Sequence, residues 1–152
     1  YDKKSRGRVS NTRRVKILRT PLSGFVTASG TMFEVQALRR IKITGLSILA
    51  SSRTPVTMKV YTLTGSYKGN EKDSSKWQLI LQSGGMIPMG LSYPTPFSDF
   101  DFPINVVPGR TQSFYVAADS PVLVCTHDRI EGSVVANNFD AVIKSGVLNS
   151  NT

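Results

Sequence analysis

Cys125 and His127 are the only cysteine and the only histidine in the chain, and they stand two residues apart. On a strand that spacing puts both side chains on one face, where an imidazole can deprotonate a thiol and create a nucleophile. Such catalysis also needs a third group to orient the base and donors for a developing oxyanion, and no nucleophile-elbow motif or phosphate-cradling glycine loop occurs. Cys125 ends the apolar run Val122-Leu123-Val124-Cys125, which suits a small buried hydrophobe. Being alone, it cannot form an intramolecular disulfide. Asn70, Glu71 and Asp73 bring oxygen ligands suited to calcium into one segment, but their spacing matches no calcium loop and a solvated acidic turn accounts for them. Asp99 and Asp101 would share a strand face, yet two carboxylates without a second cluster do not make a glycosidase. No catalytic residue, cofactor or metal site is therefore assigned, and a non-enzymatic protein is expected.

The elements that position these residues read as strands. Val56, Met58 and Val60 alternate with Thr57, Lys59 and Tyr61, the period-two pattern of a strand with one buried face. Trp77, Leu79 and Leu81 alternate with Gln78, Ile80 and Gln82, which predicts a second strand beginning at the only tryptophan. The loop between them, Gly65-Ser66-Tyr67-Lys68-Gly69-Asn70-Glu71, carries two glycines that take positive φ without a side-chain penalty, so it folds back tightly. Tyr67 is expected to cover the end of the sandwich, and Glu71 to accept backbone N–H groups or pair with a base. Trp77 is expected to fill the core with its indole N–H on a carbonyl.

Shorter alternating runs obey the same rule: Val15 and Ile17 up to Pro21, Met32 to Leu38, Ile41 to Leu49, Phe100 to Ile104, Phe114 and Val116, and Phe139 to Ile143. Turn signals separate them, and no window of helical length carries a sustained apolar stripe. The expected fold class is all-β, a single antiparallel β-sandwich of jelly-roll-like or Ig-like two-sheet type with a basic N-terminal arm; a barrel is the alternative. Residues 88–103 form the longest irregular stretch, expected to lie over an edge of the sandwich, with Met86, Met89, Tyr93, Phe97, Phe100 and Phe102 as a candidate binding lip.

At 152 residues and 39% hydrophobic, the chain has the size of one domain with one core. Its net charge of +9 is unevenly placed. Residues 1–20 hold eight basic residues against Asp2 alone, a net +7, while the body carries 11 basic and 9 acidic residues. We read 1–20 as a basic arm, partly extended and able to add a strand, and 21–152 as the sandwich domain. The arm residues Arg6, Arg8, Arg13, Arg14, Lys16 and Arg19 suit an acidic patch on a neighbouring subunit, or else an anionic polysaccharide or other polyanion. No apolar stretch has the length of a transmembrane segment, and a chain opening on Tyr1 is expected to be a processed or trimmed form.

Several of these motifs together resemble a β-sandwich module found in large secreted or surface proteins of marine algae and bacteria. The resemblance runs from about residue 30 to 146 and rests on Gly30-Thr31-Met32-Phe33-Glu34-Val35-Gln36-Ala37, Ile41-Lys42-Ile43, the stretch from Val60 through Gly65, Tyr67, Gly69 and Glu71 to Trp77, Phe114-Tyr115-Val116, and Glu131-Gly132-Ser133-Val134. It departs at His127-Asp128, where the module has a small turn. The resemblance implies a structural or adhesive module with no catalytic residues, secreted or at the cell surface, with an organelle after leader removal as the alternative setting. The module continues past the Gly146 region with a further strand, so the basic segment or another subunit is expected to fill that edge. The function expected is a non-enzymatic structural or interaction module, a homo-oligomer or part of a larger array such as a surface layer, filament, matrix or shell. The alternative is a polyanion- or glycan-binding module using the basic arm and an aromatic loop.

Overall fold

The computed structural model describes residues 16–20, 26–125 and 130–149. Among them all regular structure is strand, apart from two short 3-10 turns at Ser74–Lys76 and Gly90–Ser92. In chain order the strands are β1 (Val26–Ala28), β2 (Gly30–Ala37), β3 (Ile41–Ile43), β4 (Ser47–Ile48), β5 (Val56–Thr64), β6 (Gln78–Met86), β7 (Thr95–Pro96), β8 (Ile104–Val106), β9 (Thr111–Ala118), β10 (Leu123–Cys125), β11 (Val134–Asn137) and β12 (Ala141–Asn149).

Six of them build one antiparallel sheet in the order β11-β12-β2-β9-β5-β6, and the others pair as β1-β10, β3-β8 and β4-β7. The three small ladders are joined by further hydrogen bonds. Val124 N–H donates to Leu49 O and Ser51 N–H to Val122 O, while Phe97 N–H donates to Leu46 O and Phe100 N–H to Thr44 O. The chain crosses from the small ladders to the large sheet at Ser29, a buried residue between β1 and β2 whose carbonyl accepts the Ala118 N–H.

Alternation decides which way each strand faces. On β5, Val56, Met58, Val60 and Thr62 are buried while Thr57, Lys59, Tyr61 and Leu63 are not, so the predicted pattern holds residue by residue. Phe114 and Val116 of β9 join Met58 and Val60 in one core with Ile104, Val106, Leu123, Phe97 and Phe100 from the smaller ladders and their connections. Phe114 stacks on Phe33 at 5.6 Å and on Phe100 at 6.2 Å, which ties the ladders to the inner face of the sheet.

Four local expectations are corrected. The strand expected from Val15 to Pro21 is not found over 16–20, where there is no regular structure and Ile17 stays exposed; so short an alternation buries no face. The predicted face of Trp77, Leu79 and Leu81 is broken by a register shift opposite Val60 and Tyr61. Ile80 and Leu81 are both buried there, and Leu79 is 44% exposed, because one extra residue in a strand turns the residues beyond it to the other face. Phe139 is 82% exposed and precedes β12 instead of joining it. The supposed lip of residues 88–103 is divided: Phe97 and Phe100 are core, while Met89, Tyr93 and Phe102 are exposed. This segment does reach the margin of the sheet, where Asp101 N–H donates to Ile80 O at 3.4 Å.

Candidate functional site

The loop from Gly65 to Trp77 determines how the outer face of the large sheet is used. Gly65 and Gly69 have φ of 98° and 84°, the left-handed region that other residues enter only with strain, and they turn the chain back over the sheet. Tyr67 is then almost completely buried, 1% exposed, and its hydroxyl donates to the Glu131 carboxylate at 2.5 Å. Ser66 donates to the carboxylate of Glu34. Tyr67 therefore covers the outer face beside β2 and β12, not the end of the sandwich as expected. Burial, the Glu131 hydrogen bond and the nearby charges of Glu131, Glu34 and Glu71 all push its hydroxyl above its ordinary pKa, because each disfavours a phenolate.

The second half of the loop is pinned at its other end. Asp73 accepts from the Ser75 hydroxyl at 2.6 Å and the Ser75 N–H at 3.2 Å, which holds its carboxyl below the usual carboxylate range and caps the 3-10 turn Ser74–Lys76. The Trp77 indole N–H donates to Asn70 O at 2.9 Å, as the sequence led us to expect. The ring, however, is not in the core. It is half-buried on the outer face, edge-on to Tyr115 at 6.0 Å. The reason is the same register shift: with Ile80 and Leu81 already filling the inner side, the strand entry at Trp77 is left outside.

Between this loop and the uncovered part of the sheet lies an open groove of about 600 Å³. Its floor is the outward row of two central strands. Tyr61 of β5 sits directly opposite Tyr115 of β9, Lys59 opposite Ala117, and Thr57 O accepts the Asp119 N–H. The two tyrosine rings stack at 5.7 Å with planes 20° apart, and Trp77 walls the same end. Glu71 and Lys72 of the loop and Asp119, just past the end of β9, line the groove with Lys59. These four charged side chains form no ion pair with one another, and the sole ion pair among the described residues is Lys16 to Asp140 at 2.9 Å. Two carboxylates, two ammonium groups and two tyrosine hydroxyls are thus available to a ligand. Glu71, expected to accept backbone N–H groups of its loop or to pair with a base, shows neither contact among the described residues and lines the groove.

Of the residues singled out from sequence, Gly65, Tyr67, Gly69, Glu71 and Trp77 meet in this loop. Lys16 and Arg19 are exposed, and Arg6, Arg8, Arg13, Arg14 and His127 lie outside the described residues. Cys125 is half-buried and burial pushes its thiol up, which makes it a poorer nucleophile. No group of acidic, histidine or cysteine side chains suited to a metal ion occurs among the described residues. Sequence reasoning missed Tyr61, Tyr115, Lys59, Lys72 and Asp119. The outward phase of Lys59, Tyr61 and Tyr115 was legible, but the pairing of β5 with β9 that gathers them was not. No protein-family model matches this chain, and a search of the curated proteins finds no match. Among the described residues no helix is long and apolar enough to cross a membrane.

Tyr67→Phe removes a charge-assisted hydrogen bond and is expected to lower stability by about 1–3 kcal/mol. A hydroxyl whose pKa is raised by folding contributes stability that is complete below the unfolded value, about 10, and is lost as pH rises from there towards the folded value. Wild type should therefore lose stability above that pH more steeply than Tyr67→Phe in urea titrations at successive pH values. Equal alkaline slopes would show that the buried hydroxyl is not linked to folding.

Proposed function

We propose that this chain is a non-enzymatic structural and interaction module, a two-layer β-sandwich of jelly-roll type that holds a ligand in the groove on the outer face of its large sheet. The topology supports the jelly-roll form over the Ig-like one. Joined by their connecting hydrogen bonds, the small ladders make a second layer in the order β1, β10, β3 with β4, then β8 with β7, and the chain passes between layers at seven of its eleven connections. The marine algal and bacterial module that residues 30–146 resemble would give the chain a secreted or cell-surface setting.

The observation that carries the reading is the groove: three aromatic rings beside four charged side chains that have no ion-pair partner among the described residues. Concave, largely apolar surface with a few convergent polar groups is the usual form of a ligand site. Trp77, the single tryptophan, stands in the wall and reports on occupancy by its fluorescence. Titrating the chain with pools of oligosaccharides, peptides and single-stranded oligonucleotides should shift that emission for at least one pool, and Tyr115→Ala should abolish the shift. The pool should be recovered unchanged by mass spectrometry. Consumption of the pool would make the chain an enzyme, and silence of Trp77 towards every pool would remove the groove as the ligand site.

A second reading, assembly through the sheet margins and the basic arm, is favoured by exposed Ile130, Val134 and Phe139 near the β11 margin and by the ion pair that joins Lys16 of the basic segment to Asp140 beside β12. Homo-oligomers or a larger array would then form through that side, with a polyanion as the other partner for the arm. Sedimentation of the chain with and without residues 1–20 tests it. Loss of larger species on truncation supports assembly, and an unchanged profile with an unchanged melting temperature counts against it.

A further inference from the structure

We propose that the ligand of the groove is a neutral oligosaccharide, laid along β5 and β9 with a sugar ring stacked on the Tyr61–Tyr115 shelf and its hydroxyl groups held by Glu71, Asp119, Lys59 and Lys72. The proposal rests on the groove being the ligand site, and it names the class of ligand. A pyranose has two unlike surfaces: flat faces of weakly polarised C–H bonds and a rim of hydroxyls that both donate and accept. The groove has the complement of each. Aromatic faces carry negative quadrupole density that attracts C–H edges, and Tyr61, Tyr115 and Trp77 bring three rings to the groove, the two tyrosines stacked with centroids 5.7 Å apart. Carboxylates accept from hydroxyls and ammonium groups donate to them, in charge-assisted bonds stronger than neutral ones.

Other ligand classes fit less well. An apolar molecule would desolvate four charged groups without replacing their hydrogen bonds. A polyanion would meet the carboxylates of Glu71 and Asp119, and two acidic against two basic groups leave the groove with no net charge to attract it. A peptide cannot bind by strand addition here, because β5 and β9 are interior strands whose backbone groups are already paired on both sides. Length sets the size. Successive residues of a strand advance about 3.4 Å, so the row from Thr57 to Tyr61 extends about 14 Å, enough for a chain of about two or three sugar rings.

The test uses the whole chain, with Trp77 emission and backbone amide shifts as readouts. The probes are neutral β-1,3- and β-1,4-linked gluco- and manno-oligosaccharides of increasing length, oligo-uronates of the same lengths, a single-stranded oligonucleotide and an extended peptide. A neutral sugar should perturb Trp77 together with the amides of Lys59, Tyr115 and Ala117. Its affinity should rise to about three rings and then level off, and should not change with added salt. Tyr115→Ala should weaken binding about tenfold or more, the scale of one lost stacking contact, while Tyr93→Ala, an exposed aromatic elsewhere, should leave it unchanged. Binding of the uronate, oligonucleotide or peptide in the groove without any neutral sugar overturns the sugar assignment and leaves the groove as a ligand site. Silence of Trp77 towards every probe removes both. Sugar binding that maps elsewhere and is indifferent to Tyr115→Ala overturns the proposal as well.

Discussion

Gly146→Ala should destabilise this protein by about 3 kcal/mol or more, at the upper end of what overpacking produces. An added Cβ would overlap the carbonyl oxygen of Met32, stand 2.7 Å from that carbonyl carbon and come within 3.1 Å of Tyr67 Cε2. A backbone group has no alternative rotamer, so β2 and β12 must move apart. Gly146 lies where the register of β12 against β2 shifts between Ser145 and Leu148, which is where the two strands come too close for a side chain. Urea unfolding should show the loss as a lower midpoint, and the Tyr67 hydroxyl should titrate nearer its ordinary range as its cover opens. Gly84→Ala is the control, since nothing lies within 4 Å of its added Cβ and its φ is not positive. Equal stability of the two variants would mean that β12 does not pack on β2 in this register.

Phe114→Ala should lower stability by about 3–5 kcal/mol, the range for deleting a large aromatic from a closed core. Phe114 is 1% exposed and lies between Phe33 of its own sheet and Phe100, which belongs to the segment running between β7 and β8. Its removal leaves a cavity between the layers and loosens both stacked pairs. Denaturant unfolding should give a reduced midpoint with an unchanged slope, because the same surface is still exposed on unfolding. A loss below about 1 kcal/mol would mean that the small ladders do not close over the large sheet at this residue.

How much of this was legible in the sequence depends on the range of the interaction. The alternation of Val56, Met58 and Val60 against Thr57, Lys59 and Tyr61 is a property of one strand, and it assigned inner and outer faces that the structure keeps. Gly65 and Gly69 mark a local backbone requirement, and both adopt positive φ. The indole of Trp77 found its carbonyl within its own loop. Where an outcome depended on a partner strand, sequence reasoning failed. The shift of β6 against β5 exchanged Leu79 for Ile80 in the core and left Trp77 outside, and no pattern within 77–82 announces it.

The chain by itself therefore determined an all-β protein, the positions of its tight turns and the hydrophobic face of its longest strands, because period-two burial and glycine conformation are local matters. Only the tertiary structure decided that β9 inserts between β2 and β5, which brings Tyr115 beside Tyr61 from a distant part of the chain. It also decided that the Tyr67 loop packs beside β2 and β12 and leaves a groove over β5 and β9. Strand order and register are set by the packing of the whole core, so a groove assembled across strands has no signature in any one of them.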